Sequence, residues 1–181
     1  MQDALRRTGD WDAVLDSLLV GITHNISNRI ATLAGVSDIL SGDVTIPPIL
    51  RALADEVPRL EESVRLLRLL AVPEDERDEA LEMTRLAADA ILLARLHPLC
   101  HNVSFGVPSC RDVPPVVARP TALTHEIVVA LVSAAGEARG SAPAAGESVT
   151  IPVGFATDGE ELVMTVVGRV VRARLLSAVA Y

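Results

Sequence analysis

The residues best suited to chemistry lie in the stretch Gly21-Ile22-Thr23-His24-Asn25-Ile26-Ser27-Asn28-Arg29-Ile30. An imidazole near neutral pH keeps a ring-nitrogen lone pair that can attack a phosphoryl group. Asn28 follows four residues later and can hydrogen-bond a phosphoryl oxygen or an attacking water. Arg29 adds a positive charge suited to phosphate or to a partner's acidic pocket. On a helix of 3.6 residues per turn, residue 24 stands about 200° from residues 22 and 26. If Ile22 and Ile26 face a core, His24 faces away from it, with Asn28 one turn further along the same outward stripe. Gly21, about one turn before His24, leaves room beside the imidazole.

Such a stripe needs a long helix to carry it. No proline interrupts Trp11 to Leu40, and Leu15, Leu18, Leu19, Ile22, Ile26, Ile30, Leu33 and Leu40 form one apolar face. Asp10 or Asp12 can cap its start and Ser41-Gly42-Asp43 its end, giving roughly thirty residues and about 45 Å. After Pro47 and Pro48, a second helix carries Ile49, Leu50, Leu53, Val57, Leu60, Val64, Leu67 and Leu70. Pro58 is expected to kink or break it, and Ala71-Val72-Pro73 to end it. Two long helices on a short connection predict an antiparallel hairpin with one apolar seam too many. Pairing two hairpins in a four-helix bundle buries that seam, so a homodimer is expected.

The second half changes character. Acidic Glu74–Glu79 reads as a linker or helix start, and Ala80–Leu96 as a helix. Val103–Val107 and Val116–Ala118 read as short strands, Thr121–Arg139 as a helix and Gly140–Gly146 as a flexible segment. Ser148–Phe155 and Glu161–Val167 are β-branched runs around the turn Thr157-Asp158-Gly159. Arg172–Tyr181 is read as a last strand or a short helix. The predicted fold class is α+β: a helical hairpin over residues 1–73, then a small α/β sandwich over residues 74–181.

Composition excludes several functions. Half of the 181 residues are hydrophobic, so a sizeable core can form, and the net charge is -8. All 16 basic residues are Arg, but they form no basic stripe, so no nucleic-acid partner is expected. No stretch reads as a bilayer span, and the polar Met1–Asp10 does not read as a signal peptide, so the expected location is cytoplasmic, with no membrane partner. Cys100 and Cys110 are expected to be reduced thiols there. Cys100, His101 and His97 lack the four spaced ligands of a zinc site, and no cofactor is expected. No Ser-His-Asp constellation or paired carboxylates in an apolar setting suggest another enzyme class. His97, His101 and His125 are expected to play ordinary surface or edge roles.

His24-x-x-x-Asn28, followed by Arg29 and Ile30 in the first long helix of a hairpin, resembles the H-box of histidine kinases. It is most similar to variants with Asn four residues after the phosphoacceptor, as in citrate- and dicarboxylate-sensing kinases and the sporulation phosphotransferase. The resemblance implies that His24 carries the phosphoryl group and that Asn28 supports positioning or phosphatase chemistry. Thr23, Ser27 and Arg29 would meet the partner. Asn25 stands where the family has an acidic general base, and an amide cannot take a proton. The segment from Glu126 to Ala138 resembles the N-box helix of the kinase ATPase domain, with Ala130 and Ala134 in place of its metal-holding asparagines; alanine ligates no metal. Where kinases carry Asp-x-Gly-x-Gly, this chain has Val167-Gly168-Arg169. The resemblance therefore implies a dimeric histidine phosphotransferase of the ChpT or sporulation type, with a degenerate ATPase-like domain and no ATP site. Its partner would be a response-regulator receiver domain. The other reading is a non-catalytic, pseudokinase-like module that sequesters a response regulator or a kinase.

Overall fold

The computed structural model describes the backbone of residues 2–40, 46–71, 75–106, 113–140 and 148–176. The elements are α1 (Gln2–Leu40), α2 (Ile46–Arg68), β1 (Glu79–Leu81), α3 (Met83–Ala94), β2 (Val103–Gly106), β3 (Val116–Ala118), α4 (Pro120–Gly140), β4 (Val149–Asp158), β5 (Glu161–Val166) and β6 (Arg169–Leu175). The architecture is α+β, with a long first helix and a mixed sheet of order β1-β3-β6-β5-β4-β2. All strand pairs are antiparallel except β2 with β4.

At 39 residues, α1 spans about 58 Å. It begins well before the caps expected at Asp10 or Asp12, because Ala4, Leu5, Arg6 and Arg7 are all good helix formers. In α2 the helix continues through Pro58 rather than breaking there. Pro58 is exposed, so water can take the hydrogen bond that its ring removes. The expected helix ends at Ser41-Gly42-Asp43 and Val72-Pro73, the side chains of Leu40, Pro47, Pro48, Ile49 and Leu50, and Cys110, the segment 141–147 and the tail 177–181 lie outside the described residues.

Two expectations about the second half need correction. Ala80 and Leu81 are not helical. They belong to β1, whose Glu79–Leu81 pairs antiparallel with Val116–Ala118, and α3 starts only at Met83. Pairing with a strand 35 residues away overrides local helix propensity there. The last strand also starts earlier than Arg172. Val166 pairs with Arg169 across a two-residue turn, with Val167 at φ 34° and Gly168 at φ 74°. A type I′ hairpin requires positive φ at both central positions, which glycine accepts freely and valine only under strain. Val-Gly is therefore a poor sequence signal for a turn that the flanking pairing enforces.

A continuous core joins both halves. Leu18 and Ile22 of α1 and Leu66 and Leu70 near the end of α2 pack with α3, α4 and the sheet face formed by Ile151, Val153, Leu162, Met164 and Val166. α3 packs on α4, and both helices carry buried alanines: Ala87, Ala90 and Ala94 on α3, Ala130, Ala134 and Ala135 on α4. Small side chains there let the two helices approach closely. Glu76, in the stretch read as a linker, caps α4: its carboxylate accepts from the backbone N–H of Thr121 (2.6 Å) and Ala122 (3.4 Å). A carboxylate at a helix N-terminus satisfies orphan donors and meets the positive end of the helix dipole.

The apolar stripes of the two long helices divide. Leu18, Ile22, Leu66 and Leu70 are buried, whereas Leu19, Ile30, Val57, Val64 and Leu67 are exposed, Ile30 by 56% and Val57 by 51%. The uniform core-facing stripe expected from periodicity is thus split between two faces. Among the described residues, no helix is long and apolar enough to cross a membrane.

Candidate functional site

The helix register places His24 as its spacing demands. Ile22 is 1% exposed and Ile26 is half-buried, while His24 and Asn28 are exposed. Asn28 Nδ2 lies 3.2 Å from His24 Nδ1. With the amide donating, Nδ1 keeps its lone pair in that bond and the ring proton sits on Nε2. With the amide turned by half a rotation, Oδ1 accepts from Nδ1–H and the free lone pair sits on Nε2. The pair can therefore present a nucleophilic Nε2. Thr32 Oγ1 donates to the carbonyl oxygen of Asn28 at 3.0 Å, one turn further on. Thr23 and Ser27 are exposed beside this stripe.

Asn25 and Arg29 turn toward α2 instead. Asn25 Oδ1 accepts from Arg29 Nε at 2.7 Å and from the Ser63 hydroxyl at 3.3 Å. Arg29 also donates to Glu56 Oε2 at 3.3 Å, and Glu56 in turn takes Arg59 at 2.9 Å. The pairs Asn25–Ser63 and Arg29–Glu56 run in opposite chain order along α1 and α2. This half-buried network ties the two helices together and matches the Arg29 charge with a carboxylate.

A cleft of about 680 Å³ opens in front of His24. One wall is α1, from Val20 to Thr32. The facing wall comes from the turn after α3: Arg95, Leu96, Pro98 and His101. Gly21 sets the distance between the walls, because a Cβ there would collide with the carbonyl oxygen of Leu96. Only glycine fits without moving backbone. The facing turn is itself well held. Leu96 N–H and His97 N–H donate to the carbonyls of Leu93 and Ala94, and Cys100 N–H donates to that of His97. His97 Nδ1 accepts from Leu99 N–H at 3.2 Å, and Arg139 donates to the His101 carbonyl. Sequence reasoning missed Arg95 and His101, which lie some seventy residues from His24 and carry no local signal.

His97 and His125 are not surface or edge residues, as expected from sequence; both are buried. Burial, with the nearby His101 charge, pushes the His97 imidazole below its ordinary pKa. Burial also pushes His125 down, against the opposing pull of the Leu69 carbonyl and of Glu76. His125 Nε2 meets the Leu69 carbonyl oxygen at 2.6 Å, and its ring stacks on Trp11 at a centroid distance of 3.5 Å and 10° between planes. Its packing joins α1, the end of α2 and α4. Cys100 is buried, and burial raises its thiol to about 11, partly offset by Arg139, so it behaves as a core residue rather than a nucleophile.

A second cleft, of about 490 Å³, lies between α4 and β6. Its lining includes Ala130, Glu126, Trp11, His125 and Arg169. Among the described residues, no group of three or more His, Cys, Asp or Glu side chains is placed to hold a metal ion.

No family model matches the chain. It is similar to sporulation kinase E of Bacillus subtilis (strain 168), with 26% identity over 136 residues. The match covers 74% of this chain but only 18% of that protein. The chain thus corresponds to a minor part of its curated relative, and the likeness supports a histidine-kinase-related origin.

Proposed function

We propose that this protein is a two-component phosphorelay intermediate, in which His24 exchanges a phosphoryl group with the aspartate of a response-regulator receiver domain. The observation that carries the reading is His24 itself: exposed at the mouth of a cleft, hydrogen-bonded to Asn28, on a helix whose neighbouring isoleucines are packed inward. The distant kinase similarity supports it. In the transfer, the His24 lone pair forms an N–P bond as the P–O bond of the receiver's acyl phosphate breaks. The carboxylate leaves with the electron pair, and the imidazolium proton passes to solvent. The receiver brings its own metal and much of the geometry, so little is asked of a base beside His24.

ATP has no part in this reading. Ala130 and Ala134, in the places of the N-box asparagines, cannot ligate a metal, and the second of them is fully buried. Val167-Gly168 closes a tight turn where kinases carry the Asp-x-Gly loop. Residues 1–73 would form the dimerisation hairpin and residues 74–181 the degenerate ATPase-like domain. Val57, Leu60, Val64 and Leu67 repeat at the alternating three- and four-residue spacing of a coiled-coil seam, and three of the four are exposed. A second copy would cover them in a four-helix bundle.

The test is incubation of the purified protein with a panel of phosphorylated cognate receivers. The expected result is an acid-labile, base-stable phosphate on the wild-type dimer that is absent in a still dimeric His24→Ala. Absence of such a phosphate across the panel overturns the reading. A second reading, sequestration of a receiver or kinase without transfer, is favoured by Asn25 itself: its amide supplies no base next to the imidazole and is turned toward Arg29 and Ser63. That reading expects tight receiver binding indifferent to His24→Ala.

A further inference from the structure

We infer that Arg95, from the turn that follows α3, is the cation that holds the phosphoryl group at His24. The inference rests on the phosphotransfer reading and names the charge which that reading leaves unassigned. A phosphoryl group passing to an imidazole carries negative charge on three oxygens, and a fixed guanidinium beside it binds the dianion and steadies the charge in the transition state.

Arg29 is the sequence-adjacent choice, and its geometry argues against it. Its Nε donates to Asn25 and its Nη1 to Glu56, whose carboxylate balances its charge. The opposite wall of the same cleft presents Arg95. Arg95 is exposed and, among the described residues, takes part in no ion pair or hydrogen bond through its side chain. Its placement is fixed by backbone: Arg95 N–H donates to the Ile91 carbonyl at 3.0 Å, and the next residue, Leu96, touches α1 at Gly21, about one turn from His24. The turn beyond is pinned by the His97, Cys100 and Arg139 hydrogen bonds. An exposed guanidinium with no partner among the described residues, carried by a turn whose backbone is hydrogen-bonded and lining the same cleft as the nucleophile, is suited to bind an anion there. Its position also makes the α/β half part of the site: the nucleophile comes from α1 and the phosphate-holding charge from the end of α3.

The test uses phosphoramidate, a small phosphodonor that needs no receiver. The His24 nitrogen forms the new N–P bond as the donor's P–N bond breaks; the amine leaves as ammonia and takes up the imidazolium proton as ammonium. Formation of phosphohistidine is followed by 31P NMR on the whole 181-residue chain over a series of donor concentrations. Arg95→Ala is expected to lower the second-order rate about tenfold, mainly through weaker donor saturation. Arg95→Lys should restore most of it, and Arg85→Ala, which removes an exposed charge from α3 outside the cleft lining, should leave it unchanged. An Arg95→Ala protein that matches the wild type, or an Arg85→Ala loss as large as the Arg95→Ala loss, overturns the inference while leaving phosphorylation of His24 in place. A wild-type protein that acquires no phosphohistidine while a phosphorylated receiver also fails to transfer overturns the parent reading and the inference with it.

Discussion

His24 and His125 line two different clefts, and their surroundings treat the imidazole in opposite ways. In the first, His24 stands exposed on α1 with a single amide partner and a free edge toward solvent. In the second, beside the alanines of α4, His125 is covered by Trp11, bonded to the Leu69 carbonyl and pushed toward its neutral form by burial. The same side chain is a candidate nucleophile in one setting and a packing joint in the other. The difference comes from register and neighbours, not from residue type. It also ties the clefts together, because the His125 joint fixes one end of α1 and the Gly21–Leu96 contact fixes the middle.

The comparison can be broken most severely at Gly21. A methyl there meets the Leu96 backbone, so Gly21→Ala should destabilise by roughly 2–3 kcal/mol and force the His24 cleft open. Chemical denaturation, with the phosphotransfer rate measured in parallel, checks both effects; an unchanged midpoint would mean that the two walls are not in fixed contact. At the other joint, Trp11→Ala removes the stacked partner of His125 and should cost about 2 kcal/mol. Because His24 is remote from that ring pair, the loss should be thermal rather than catalytic, which separates the two clefts in one variant.

The smallest effect is the pH dependence of the buried imidazoles. The folded pKa values of His125 and His97 lie below the ordinary 6.5, so the unfolded chain binds more protons as the pH falls. Their contribution to stability is complete above about 6.5 and declines as pH drops through the folded values. Melting temperature should therefore fall from about pH 7 to about pH 5 by more than in His125→Phe, which keeps the stack on Trp11 and loses the titration. Equal slopes in the two proteins would show that His125 is not held neutral.

Much of this was legible in the chain. Three- and four-residue spacing fixed which side of α1 carries His24. The room expected at Gly21 is instead filled by the Leu96 backbone, which packs against α1 there. The run of β-branched residues around Asp158-Gly159 announced the β4–β5 pair. What was not legible depended on partners distant in sequence. Nothing near Glu79 announces a strand, since β1 exists through its pairing with residues 116–118. Nothing near His125 announces burial, since its cover is Trp11 and its hydrogen-bond partner is Leu69. Arg29 looked like the free cation because its partner Glu56 lies on another helix, and Arg95 was invisible because its neighbour is a cleft wall seventy residues earlier. Local pattern reports register and amphipathicity; it does not report which charges are already matched.

Exposure together with the Asn28 bond singles out His24 among the four histidines of the chain. The most direct measurement is localisation of phosphate by peptide mapping under alkaline conditions, after incubation with a phosphorylated receiver. The account predicts phosphohistidine at His24 alone, with His97, His101 and His125 unmodified. Phosphate on His101, across the same cleft, with His24 bare would contradict it.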